Sequence, residues 1–301
     1  WMHVLGQQGS PPMAAGALQS LLASPAPIVL AQLCDFATLS FDRLSPELAA
    51  RTRLFARNHW PADDASIPAA FRDRIGWFPP MLKALAPSSG KPLALRAIGC
   101  SFIGTRTGSR NLPDGQNARE ASVRLMRDSG LPFVGGLVAH DDPAYRTDAS
   151  LLVPRMSKRR HQDLLRDSRI CLAPWGNHPI TYRLFEGLSL RCLVVAQSLR
   201  STRFLDGGLT PGKHYVEVAA DLHDLVDTVR YYLGHPQEAQ QIADAGHEHY
   251  RRFLAPRGSL ISKWIYDATL ASWGDLGRPG DRRGLRAGFA RLVARTSPRH
   301  F

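Results

Sequence analysis

A chain of 301 residues that is 44% hydrophobic can bury one large core or two modest ones, and two sheet-based lobes suit the length. No apolar run approaches the roughly 18 residues of a transmembrane helix, and Trp1–Leu22 lacks the basic-then-apolar order of a secretory leader, so a cytoplasmic protein with room for a peripheral membrane contact is expected. The formal net charge of +12 favours polyanionic partners, among them nucleotide diphosphates, acidic glycans, anionic lipid and nucleic acid, without choosing between them.

Ser10–Ala23 suits a helix. Pro27–Leu33 reads as a buried strand ending at Cys34 and Asp35, and Arg53–Ala56 as a second, ending near Asn58 and His59. Two strands make a short or truncated lobe over 1–92. Asp35 and His59 fall where strand ends face a cleft, and each stands either as a catalytic base or as an ordinary polar loop residue. The turn formers of Trp77–Pro80 and Pro87–Pro92 close this lobe.

Leu93–Gly104 opens a second lobe, 93–274, as a strand. The polar loop after it leads to a helix over Asn117–Ser129. In a parallel sheet such a loop faces the ligand, so Arg106 and Arg110 stand as phosphate binders or as parts of a solvated basic loop. Pro132–Gly135 is the next strand. Leu151–Met156 is a third, or else the extended approach to a helix that Ser157 caps and that continues through KRRHQDLLRDS. Lys158, Arg159 and Arg160 oppose the dipole of that helix, which hints at an anionic partner nearby.

The stretch from Arg169 to Ala196, RICLAPWGNHPITYRLFEGLSLRCLVVA, reads as strand, loop, helix, strand with its polar residues confined to the turn. Ile170–Ala173 and Leu193–Ala196 are apolar enough to be buried on both faces of a parallel sheet. Between them Thr181, Leu184, Phe185 and Leu188 form one stripe at helical spacing, with Pro179 just ahead. A helix that starts beyond the carboxyl end of a buried strand offers free N–H groups and partial positive charge to a phosphate. That singles out Gly176, Asn177, His178, Thr181 and Tyr182. Arg183 and Glu186 share a face three residues apart, either as a guanidinium for a diphosphate beside a carboxylate for sugar hydroxyls, or as a surface ion pair.

Downstream, Thr210–Gly212 makes a turn and His214–Val218 a short strand. Asp221 is placed to cap a helix carrying Leu222, Leu225, Val229 and Leu233. A further helix starts near Pro236, with Ala239, Ile242, Ala243 and Gly246 toward the core. Lys213 lies in a loop within reach of a donor, while His214 reads as structural. Ser259–Trp273 is a last helix. The tail, 275–301, carries seven arginines against two aspartates, either as a basic amphipathic segment suited to an anionic membrane or as a disordered end. Cys34, Cys100, Cys171 and Cys192 are scattered among apolar runs and read as free buried thiols.

The run from His161 to Val195 resembles GT-B glycosyltransferases, particularly the exostosin-like, capsule-associated O-glycosyltransferase and group-1 families. It is carried by Ser168, Cys171, Leu172, Pro174 and Gly176, followed by Arg183 and Glu186. The likeness extends over Leu95–Leu254, with Arg191 and Leu193 standing where a glycine and a proline are usual. The resemblance implies an α/β fold of two Rossmann-like lobes, the first on the acceptor side and the second, a parallel sheet flanked by helices, holding a nucleotide-sugar. It implies transfer of the sugar to a glycan, lipid or protein acceptor, with Arg183 on the diphosphate, Glu186 on a hydroxyl and Arg106 as the basic residue after the first strand. Without Asp-x-Asp, a histidine ligand pair or a cysteine cluster, neither a metal nor another cofactor is expected. The other class is a basic Rossmann-like module binding nucleic acid or another polyanion through phosphate contacts, for which only the charge speaks.

Overall fold

The computed structural model describes residues 2–5, 19, 22–23, 28–32, 46–57, 60–61, 67, 69–77, 90–108, 112–200, 202–203 and 208–254. Asp35, Arg110, Cys34, Asn58, His59, the Ser259–Trp273 segment and the arginine-rich tail lie outside the described residues.

The first part of the chain builds β1 (Met2–Leu5), β2 (Ile28–Gln32), helix α1 (Pro46–Arg51), β3 (Thr52–Arg57), the two-residue β4 (Trp60–Pro61) and β5 (Ile75–Trp77). Strands β1, β2, β3 and β5 form a parallel sheet in that order. The sequence shows two of these four strands. The others are four and three residues long, too short to display an alternation of their own, and are strands only because a longer neighbour pairs with them. Ile75–Trp77 thus extends into the turn-rich stretch that closes the lobe in the sequence reading.

The second part builds β6 (Ile98–Thr105), α2 (Ala118–Asp128), β7 (Phe133–Val138), α3 (Lys158–Asp167), β8 (Ser168–Leu172), α4 (Tyr182–Ser189), β9 (Leu193–Gln197), β10 (Thr202–Arg203), β11 (Val216–Val218), α5 (Leu225–Gly234) and α6 (Pro236–His249). Its five-stranded sheet has the order β11-β9-β8-β6-β7 and every pairing in it is parallel. β10 pairs antiparallel with β4.

All five residues of β9 are buried, as a strand covered on both faces requires. Alternate residues feed separate cores. Ile170, Leu172, Leu193 and Val195 join Val123 and Met126 of α2, Val229 of α5 and Ile242 of α6 on one face. Ala173, Val194 and Ala196 join Leu184, Phe185 and Leu188 of α4 on the other. Gly187 lets α4 lie close to the sheet, since a Cβ there would come within 2.7 Å of the Val194 side chain and 3.1 Å of Cys171 Sγ.

Local chemistry explains most boundaries. The Asn117 side chain caps α2 by accepting from the N–H groups of Arg119 and Glu120, and Ser157 caps α3 by accepting from that of Arg160. Leu151–Met156 is the extended approach rather than a full strand: Val153 N–H donates to Leu137 O at 2.8 Å in a single bridge of Leu152 to β7. Asp221 does not cap α5. Its carboxylate is engaged by His223, and the helix starts after Asp224, whose Oδ1 accepts from Ala219 N–H.

Candidate functional site

From β6 the chain moves to one neighbour, β7, and then returns to the other side of β6 as β8. The carboxyl ends of β6 and β8 therefore flank the point where strand order reverses, the place where open α/β sheets hold ligands. Helices α2 and α4 begin there because they follow β6 and β8, and α3 begins there because it descends into β8. Three helix N-termini thus meet at one edge, each with N–H groups that lack a partner within the helix.

The loops at this edge are tied to one another. Asn177 Oδ1 accepts from Gly108 N–H at 2.7 Å, joining the loop after β8 to the loop after β6. Trp175 is fixed to the end of β9 through its backbone N–H to Gln197 Oε1 (2.9 Å) and its indole N–H to Ser198 O (3.1 Å). Arg119 donates to Thr105 O at 2.9 Å and lies over Gly176, where a Cβ would come within 2.5 Å of its guanidinium. A larger residue at 176 would push the Arg119 guanidinium aside.

At the first turn of α4, Arg183 and Glu186 do form an ion pair, but it is not on the open surface: their side chains are only 15% and 24% exposed. The Arg183 guanidinium also donates to Ile103 O of β6 and to the His161 ring of α3. Burial, and then the Arg183 charge, push His161 down from its ordinary 6.5 to about 3, so the ring is neutral and accepts. Two polar atoms on this turn are buried without a partner among the described residues, Thr181 Oγ1 and Arg183 Nε. Thr181 holds the N-cap position with extended backbone, yet its hydroxyl makes no capping bond.

Of the residues singled out in the sequence, Arg183, Glu186, Gly176, Asn177, His178, Thr181, Tyr182 and Arg106 gather at this edge. Arg106 is half-buried and held by Glu120 Oε2 at 2.8 Å. His178 is buried and its Nδ1 accepts from Ile180 N–H at 3.0 Å, shaping the turn into α4. Tyr182 is exposed. Lys213 is placed elsewhere. The backbone of the adjacent His214 packs on Gly246, and the neighbouring His247 donates to Leu188 O at the last turn of α4. A loop that leads into a parallel strand lies at its amino end, so Lys213 is at the opposite edge of the sheet from the first turn of α4.

His161 and Arg119 escaped the sequence reading. The signal for His161 was its place four residues before Leu165, which is buried, on a helix that descends from the ligand edge. Among the described residues no group of three or more His, Cys, Asp or Glu is placed to hold a metal ion.

Residues 121–256 match a family described as glycosyl transferase-like. The crystal structure of TarM superposes with a TM-score of 0.54 at 10% identity, over 89% of this chain and 54% of that one. A mutant of S. aureus TarM in complex with fondaparinux, α-GlcNAc-glycerol and UDP gives 0.52 at 11% identity, over 84% of this chain and 53% of that one. The fold is that of the GT-B glycosyltransferases. This chain spans about half the length of those proteins. No curated protein matches the sequence. Among the described residues the five-stranded sheet β11-β9-β8-β6-β7 with its flanking helices and the four-stranded sheet β1-β2-β3-β5 are separate sheets. No helix among the described residues is long and apolar enough to cross a membrane.

Proposed function

We propose that the protein transfers a sugar from a nucleotide-sugar donor to a glycan, lipid or protein acceptor, with the donor diphosphate at the first turn of α4. One observation carries this reading: Thr181 Oγ1 and Arg183 Nε are buried without partners on a single turn at the point where the strand order reverses. Buried polar atoms are almost always satisfied, and leaving one unmatched costs about 1–3 kcal/mol, so two together on a helix N-terminus indicate a site awaiting oxygen atoms. The hydroxyl, the first-turn N–H groups and a cation on the same turn suit a diphosphate.

The chemistry follows from charge. As the sugar–phosphate bond breaks, negative charge grows on the leaving diphosphate, and fixed N–H donors with a guanidinium stabilise it without reorganising. In this reading the protein's own cations do that work and no metal is needed. Glu186, anchored by Arg183, accepts from hydroxyls of the sugar or ribose. The match to a glycosyl transferase-like family over residues 121–256 supports the reaction class.

The deciding experiment is thermal unfolding with a panel of nucleoside diphosphates and nucleotide-sugars, beginning with UDP because the S. aureus TarM mutant structure holds it. A ligand at 100 times its dissociation constant stabilises by about 2.7 kcal/mol. No shift with any of them, together with salt-sensitive retention on heparin, would sink the donor reading in favour of a polyanion-binding module.

A further inference from the structure

We propose that His161 is a positioning residue for Arg183, fixing the guanidinium toward the ligand without cancelling its charge. The inference rests on the reading of the α4 turn as the diphosphate site.

A guanidinium has five N–H donors. Three acceptors from three elements take three of them: Ile103 O on β6, Glu186 on the same helix and the His161 ring on α3. One donor on Nη2 and the buried Nε–H remain. The His161 nitrogen nearer to Arg183 is Nε2, with Nδ1 at 3.4 Å, so the neutral ring accepts through Nε2 and carries its proton on Nδ1.

The choice of acceptor matters. Glu186 alone, three residues away on the same helix, leaves the guanidinium free to pivot about one carboxylate. A second carboxylate at 161 would stop the pivot but would turn the Arg183–Glu186 pair net negative and repel a diphosphate. A neutral imidazole and a backbone carbonyl stop it by geometry, leaving the net charge on the turn unchanged. His161 reaches the site across 22 residues of sequence, so its contact fixes α3 against α4 at this edge.

Calorimetric titration with UDP tests this on the full chain. His161→Ala is expected to weaken binding about tenfold, and His161→Gln, whose amide oxygen accepts the same N–H, to recover most of it. His161→Glu is expected to bind no better than His161→Ala despite being the stronger acceptor. In an Arg183→Ala background the changes at 161 should have no further effect. Equal binding by the Ala and Gln variants, or recovery by Glu, overturns the proposal, because a residue that merely fills space would not sort acceptors by charge. Should the Ala variant fail to fold, nitrogen-resolved NMR of the wild type decides: a ring protonated at pH 6, or one with its proton on Nε2, overturns it. If Arg183→Ala leaves UDP binding intact, the donor reading falls first and the role of His161 falls with it. Weakened binding by Arg183→Ala with no change in His161→Ala overturns the positioning role alone.

Discussion

Replacing Arg183 with Ala removes the guanidinium that carries one of the two unmatched atoms of the α4 turn. Turnover is expected to fall on the order of a hundredfold, the usual loss when a preorganised donor to a developing charge is deleted, with the melting temperature checked to show that the fold survives. Arg96 makes the opposite case, a buried cation with no part in the site. It is 1% exposed and donates to Ser168 O (2.9 Å), Leu190 O (3.2 Å) and Lys91 O (3.2 Å). Arg96→Met leaves three carbonyls without their donor, and urea unfolding should show a loss of about 3 kcal/mol or more. The spacing of Arg183 and Glu186 made their pairing readable in the sequence. The contacts of His161 and Arg96 were not readable, because Arg183 lies 22 residues from His161, and Ser168 and Leu190 lie 72 and 94 residues from Arg96, so they meet only once the sheet has assembled.

Helix α4 was legible as an element: its apolar stripe and the buried strands on either side follow from periodicity, while Thr181, which the stripe includes, is its N-cap and the helix begins at Tyr182. Its last turn departs from the usual pattern. Arg191 takes φ +58°, the left-handed conformation that normally follows a helix as glycine, and offsets this by an ion pair with Asp244 that is partly exposed. Arg191→Gly and Arg191→Ala both lose the ion pair, but only glycine adopts this backbone without a steric cost. The Gly variant should therefore be the more stable of the two by about 1 kcal/mol in denaturant unfolding. The start of α5 was misplaced by three residues for a related reason. Asp221 and Asp224 are both suited to cap a helix; this one begins after Asp224, while the Asp221 carboxylate is taken up by His223.

Over the whole molecule, buried histidines set an acid limit. His161 is pushed down to about 3, and His214 to about 4 by burial and then by His249 and Lys213, both from 6.5. A depressed histidine is neutral in the folded chain while the unfolded chain takes up a proton, so unfolding gains as pH falls below 6.5 and the loss continues to the folded values. Stability should be level above about pH 7 and decline below 6.5 by at most about 1.4 kcal/mol per pH unit for each histidine. His161→Gln should shallow that slope, and an unchanged slope would show that other groups set it. Thiol chemistry belongs to the same interior: burial raises Cys192 to about 11 and holds Cys100 and Cys171 above the ordinary thiol value. Labelling of these three should therefore be slow until the chain unfolds.

The backbone N–H of Leu93, at the entrance to the second sheet, donates to Gln240 Oε1 at 2.7 Å on α6, almost at the exit. Among the described residues, the segment before β6 is thus clasped to α6. During synthesis, β6 to β9 leave the ribosome well before Gln240 does, so the clasp shuts only after the five-stranded sheet has emerged. Segments held side by side also mean that the chain can be reopened elsewhere. A circular permutant of residues 90–254 that links Leu254 to Gly90 and begins in the exposed turn near Asp141 should keep the sheet order and the α4 turn intact.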